Sequence, residues 1–206
     1  MTDPFWRDPE PLVLASGSSA RRTLLLAAAI PIDVVPADID ERAVEAPLRA
    51  AGAAPEAVAV HLARAKAAAV AALRPGRLVL GADQVLALGM ELFSKPASVA
   101  HARSHLQRLS GRTHALHSAL CLRRDDTELF EAVGTARLTM RPLSAAFLDD
   151  YLAAEGEAVC GSVGAYRLEG LGIHLFTAIE GDHSTILGLP LLALLPALRQ
   201  AGVLLG

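Results

Sequence analysis

Apolar residues fall along this chain in two patterns. Short unbroken runs such as Leu12-Val13-Leu14-Ala15 and Leu78-Val79-Leu80-Gly81-Ala82 have the character of strands covered on both faces. Between them lie stretches where apolar residues return every three or four positions, the spacing of a helix with one face on a core. The first run leads into Ser16-Gly17-Ser18-Ser19 and then a helical stretch over residues 20–29, giving strand, serine loop, helix. A second helix is expected over residues 56–73, ended by Pro75-Gly76, and the second buried strand is expected to end on Asp83-Gln84.

Beyond this point the pattern predicts a hairpin, with Val85 to Leu88 and Leu92-Phe93 flanking Gly89. Residues 98–109 have helical spacing with Gly111 just past the end, and residues 113–122 and 129–140 read as paired strands. Ser144 is placed to cap a helix running to Ala154, residues 173–179 read as a strand, and residues 191–200 form the last predicted helix. The Ala-rich stretch from Ala43 to Ala72 keeps helical periodicity, and neither a repeat nor a Ser/Gly linker interrupts the chain. This alternation predicts an α/β fold, a mixed twisted sheet with flanking helices, formed by residues 1–206 as one domain.

Composition narrows the function classes. An apolar fraction of 52% in 206 residues supplies a sizeable core. Against 22 Asp and Glu stand 19 Lys and Arg, so the basic excess that nucleic-acid binders use on phosphates is missing, and no nucleic-acid partner is expected. Cys121 and Cys160 form no CxxC pair, which argues against a disulfide framework and for a reducing, cytoplasmic setting. The first eleven residues carry Asp3, Asp8 and Glu10 among three prolines, unlike a signal peptide, and the longest apolar runs are far short of the about 20 residues of a membrane span.

Several polar residues stand where chemistry is possible. Arg21 and Arg22 fall in the first turn of the first helix, where the dipole favours anions. Two readings follow: the Ser16 to Ser19 loop and an arginine cradle a phosphate, or a serine caps the helix and both arginines point to water. Lys66 lies inside the apolar arc of Val58, Leu62, Ala69 and Leu73, so it either snorkels past the edge or reaches an anion in a cleft. Asp83 follows an apolar strand, at the carboxyl end where ligands gather in open α/β sheets, or is an ordinary turn aspartate. Asp38, Asp40 and Glu41, together with Asp83, offer oxygen donors for Mg²⁺ or Mn²⁺ or form a solvated acidic loop. Lys95, held before Pro96, leaves its hairpin in a defined direction. His114 and His117, three apart on a strand, face opposite ways and are not a metal pair. Neither a P-loop nor a complete GxGxxG pattern is present.

These signals occur in one order: Leu14-Ala15-Ser16-Gly17-Ser18-Ser19-Ala20-Arg21-Arg22, Asp38-Ile39-Asp40-Glu41, Lys66-Ala67, Gly81-Ala82-Asp83-Gln84-Val85 and Ser94-Lys95-Pro96. With Ser110-Gly111-Arg112-Thr113-His114, Gly164-Ala165-Tyr166, Glu169-Gly170-Leu171-Gly172 and Gly188-Leu189-Pro190, that order resembles the Maf family over nearly the whole chain. The resemblance implies two lobes around a cleft, a fold related to inosine triphosphate pyrophosphatases, a homodimer, and hydrolysis of nucleoside triphosphates to monophosphate and pyrophosphate as nucleotide-pool house-cleaning. It implies that Ser16, Ser18 and Arg21 hold phosphate, that Glu41 and Asp83 serve a divalent metal, with Asp83 as proton acceptor, and that Lys66 and Lys95 neutralise the triphosphate. Gln84 after Asp83 is similar to the 7-methyl-GTP branch, whereas Ser19 and Ala20 replace that family's usual proline and arginine or tryptophan. An alanine offers no π face for a methylated purine. The alternative function, also implied by the family, is a regulatory protein of cell division with little turnover.

Overall fold

The computed structural model describes residues 4–206. Seven strands form one mixed sheet: β1 (Leu12–Leu14), β2 (Ile32–Val34), β3 (Leu78–Leu88), β4 (Glu91–Phe93), β5 (Thr113–Arg124), β6 (Thr127–Met140) and β7 (Phe176–Glu180). They lie in the order β2-β1-β3-β5-β6-β7, with β4 paired to β3. β1 is parallel to β2 and β3, and the remaining pairs are antiparallel. The helices are α1 (Ser19–Ala27), α2 (Glu41–Ala50), α3 (Pro55–Leu73), α4 (Val99–Leu109), α5 (Ala145–Glu155), α6 (His183–Ile186) and α7 (Leu191–Gln200). No helix among the described residues is long and apolar enough to cross a membrane.

Side-chain alternation along β3 assigns its two faces. Val79 and Val85 face α3 and pack on Val70, Ala63 and Ala67. Leu78, Leu80 and Ala82 face the other way, onto Leu25 of α1 and Leu194 and Leu198 of α7. Further along that second face Leu86 joins a separate cluster with Leu106 of α4 and Leu148 of α5. Between these two apolar clusters lies a polar gap, where Gln84 of β3 pairs in register with Ser118 of β5. Two cores on one sheet, parted at a polar step, give the molecule two lobes.

The structure corrects two sequence expectations and adds two elements to which the sequence reading gave no bounds. β3 does not end at Asp83 but continues to Leu88, because β5 pairs with it throughout and β4 takes over its other edge from Leu86. Asp83 therefore sits mid-strand. The edge it lies on is nonetheless open there, since β1 stops at Leu14 and its last bond to β3 is Ala15 N–H to Leu80 O. Residues 41–50 form α2, capped by Asp40, which accepts from Ala43 N–H. The helical periodicity from Ala43 onward accords with this helix, and Pro47 within it obscures its bounds in the sequence. β2 is a further strand the pattern did not announce. Finally, of the expected strand 173–179 only residues 176–179 fall in β7, which runs on to Glu180 beside β6; Leu171–Leu175 form a 3₁₀ turn whose Leu171 and Ile173 are exposed.

Candidate active site

Asp83 projects from the α3 face of β3 and is 7% exposed. It meets α3 at close range because Gly81, two residues earlier on the same face, has no side chain. A Cβ at Gly81 would overlap the carbonyl oxygen of Ala63 and stand 2.6 Å from Ala67 N. One turn along α3, Lys66 extends over that contact, and its Nζ donates to Asp83 Oδ1 at 2.6 Å. The same Nζ is 2.6 Å from Glu41 Oε1 at the start of α2. The apolar arc thus delivers its lysine into a cleft, between two acids drawn from separate elements. Burial pushes the Asp83 carboxyl above its ordinary range, opposed by the charges of Lys66 and Arg21.

Arg21 resolves the choice the sequence left open in a third way, for its side chain neither points to water nor stands clear for a ligand. Nε donates to Gly188 O at 2.8 Å, and Nη1 donates to Ser16 Oγ at 2.8 Å and to Ala82 O at 2.9 Å. Ala82 O lies on the open edge of β3, so the guanidinium takes a bond that a longer β1 would have taken. Gly188, at φ 95°, lets its carbonyl approach; a Cβ there would stand 3.3 Å from Arg21 Nε. Burial lowers the Arg21 pKa, while Asp83 and Glu41 work in favour of its charge. Arg22 is exposed.

The serine loop closes this end. Ser18 is the N-cap of α1 and accepts from Arg21 N–H, and Ser16 Oγ accepts from Ser18 N–H at 3.3 Å. Gln84 points to the opposite face of β3 from Asp83, where Nε2 donates to Ser118 Oγ at 2.9 Å and lies within 3.2 Å of Thr185 O and 2.9 Å of Ile186 O. Gln84 and Arg21 thereby both hold the segment around α6. Lys95, just past β4, is exposed on the cleft wall. Asp38 is exposed and does not line the cleft, and Asp40 is used as a cap.

The eight residues to which the resemblance or its branch assigns a place at the site, Ser16, Ser18, Arg21, Glu41, Lys66, Asp83, Gln84 and Lys95, line one cleft of about 830 Å³, whereas Arg22, Asp38 and Asp40 do not. That size suits a small-molecule ligand. Sequence reasoning missed Glu45, one helical turn after Glu41 on the same wall, whose carboxyl is pushed up chiefly by burial and also by Asp83 and Glu41. Its signal was the i, i+4 spacing from Glu41, legible only once α2 is known to be a helix. Also missed was the wall formed by residues 161–164 and 166–169. Tyr166 anchors that wall from below: its hydroxyl bonds His114 Nε2 at 2.7 Å and its ring meets Phe176 edge-on.

Among the described residues no three His, Cys, Asp or Glu side chains converge as metal ligands. Glu41 and Asp83 still present two carboxylate oxygens, each 2.6 Å from a single point, Lys66 Nζ. A hard divalent ion that keeps several waters and takes one or two carboxylates plus substrate phosphates fits such a pair.

Residues 11–201 match the family described as Maf-like protein. A protein of Rhodopseudomonas palustris named nucleoside triphosphate pyrophosphatase is 54% identical over 97% of this chain and 98% of its own. One of Mesorhizobium japonicum named 7-methyl-GTP pyrophosphatase is 53% identical over 96% of this chain and 99% of its own. Among solved structures, a HAM1 protein from Coxiella burnetii covers 63% of this chain and 72% of that chain, at 20% identity and a TM-score of 0.39.

Proposed function

Since the chain belongs to the Maf-like protein family, we propose that it is a nucleoside triphosphate pyrophosphatase, which splits the α–β phosphoanhydride and releases a nucleoside monophosphate and pyrophosphate. The observation that carries the chemistry is the trio in which Lys66 bridges Asp83 and Glu41 inside the cleft. Asp83, its proton affinity raised by burial, is the proton acceptor: it takes a proton from the water whose oxygen attacks the α-phosphorus. The bond from that phosphorus to the bridging oxygen breaks, and pyrophosphate leaves with the oxygen. Lys66 and Lys95 neutralise charge that collects on the leaving group. The Ser16 and Ser18 hydroxyls line the part of the cleft where the phosphates would bind, and Arg21, held by Ser16, Ala82 and Gly188, supplies positive charge beside them. Gln84 lines the same cleft with its amide nitrogen engaged by Ser118 and the α6 segment, so its part is to position that wall.

Glu41 and Asp83 are the residues that would hold Mg²⁺ or Mn²⁺, whose bound form supplies charge neutralisation of the phosphates. The proposal extends to one domain over residues 1–206, a homodimer, a cytoplasmic location and a role in cleansing the nucleotide pool. The base preference is left to measurement, as relatives are named both for nucleoside triphosphates at large and for 7-methyl-GTP, and Ala20 gives a purine nothing to stack on. Incubating the protein with Mg²⁺ or Mn²⁺ and canonical, methylated and deaminated nucleoside triphosphates tests the reading. Monophosphate and pyrophosphate are expected from a subset; orthophosphate alone, or no turnover of any substrate, overturns it.

A further inference from the structure

Lys66 and a divalent cation contend for one place. Nζ stands 2.6 Å from Glu41 Oε1 and 2.6 Å from Asp83 Oδ1. A Mg²⁺ or Mn²⁺ held by those same two oxygens at the usual 2.0–2.2 Å either takes the position of the ammonium or lies within about 4 Å of it, where like charges repel. The backbone of α3 has no room to retreat inward or slide, because Gly81 lets Ala63 and Ala67 pack directly on β3. What α3 can move is the lysine side chain, whose flexible four-carbon stem opens onto the cleft that Lys95 also lines.

We infer that Lys66 is a gate for the metal: in the free protein it neutralises the two acids, and it releases them when the phosphates of a nucleotide offer it other oxygens. Metal and nucleotide then bind as a coupled pair, each tightening the other. The inference rests on the proposed function in taking a triphosphate as the second ligand. Lys66 has two tasks on this account, shielding Glu41 and Asp83 first and the leaving group afterwards. Glu45 and Arg21, which also border these acids, keep their own partners, Arg49 at 3.6 Å and the carbonyls of Ala82 and Gly188.

The test reads metal binding, not turnover. Mn²⁺ is titrated into the full-length protein without nucleotide, and bound ion is followed by electron paramagnetic resonance. Replacing the ammonium by an uncharged chain of similar length, Lys66→Met, is expected to tighten Mn²⁺ binding by about tenfold or more. The control Arg64→Gln removes an equal charge from the exposed side of α3, where Arg64 meets Glu128 and Glu131, and is expected to leave the affinity unchanged. In the parent protein α,β-methylene-GTP and α,β-methylene-dTTP, which resist cleavage, are expected to raise Mn²⁺ affinity where they bind, and in Lys66→Met that gain is expected to shrink. Equal or weaker Mn²⁺ binding by Lys66→Met overturns the gate, and Lys66→Gln carries the same reading if the methionine variant does not fold. A parent that hydrolyses nucleotides while its lysine variants bind Mn²⁺ no better refutes the gate and leaves the proposed reaction standing.

Discussion

Asp83 on β3 and His114 on β5 are both buried polar side chains of one sheet, 7% and 2% exposed, and they meet burial in opposite ways. Asp83 lies at the open edge beside the cleft, where Lys66 and Arg21 supply compensating charge. His114 lies under the cleft wall, bonded to the Tyr166 hydroxyl among aromatic rings, and burial alone brings its pKa down to about 4. The difference teaches where this molecule tolerates ionisation. A charge is kept only where partners and an opening come together; elsewhere the group stays neutral and its role is to hold shape.

The comparison breaks most sharply if the charge at Asp83 is removed. Asp83→Asn retains the shape of the side chain but not its basicity, and kcat is expected to fall about 10²-fold or more with the far-ultraviolet dichroism unchanged. A variant within threefold of the parent would show that the proton goes elsewhere.

At the other pole, acid should act on stability. The His114 pKa is depressed from 6.5 to about 4 in the folded chain, so its contribution is complete above pH 6.5 and is lost as pH falls towards 4. The loss amounts to about 3 kcal/mol at pH 4, and urea midpoints measured at pH 7, 5 and 4 should trace it. The same series on His114→Gln, which cannot charge, should show a shallower decline; identical slopes would mean that His114 takes no part.

The third and smallest effect sharpens the contrast by moving a helix without altering any charged side chain. Gly81→Ala forces α3 away from β3 and should cost about 1–3 kcal/mol in stability. Because Lys66 rides on α3, turnover should drop as well, whereas the His114 contact on β5 should keep its acid response. Full activity in a destabilised Gly81→Ala would separate the helix contact from the chemistry.

Much of this was legible in the sequence, for reasons that can be named. Runs such as Leu78 to Ala82 and the spacing of residues 56–73 record burial directly, so the start of β3 and both ends of α3 were found close to the observed bounds. The inward arc of α3 also marked Lys66. What local pattern cannot report is a partner far away in the chain. The continuation of β3 through Asp83 depends on β5, some 35 residues later, and the fate of the Arg21 donors depends on Gly188. Glu45 was hidden because Pro47 obscured where α2 begins and ends, and the anchoring part of Tyr166 because nothing near it in sequence speaks of His114.

The Arg21 guanidinium joins three parts of the chain: Ser16 beside it, Ala82 at a separation of 61 residues and Gly188 at 167. During synthesis, α1 and β3 leave the ribosome long before Gly188 does. A nascent chain therefore carries the acids, the lysine and the serine loop before it has the floor that aligns them. The order of emergence delays completion of the cleft until the α6 segment has been made, so a partly translated copy would meet the cell's nucleotides with the residues proposed to act on them present but unassembled.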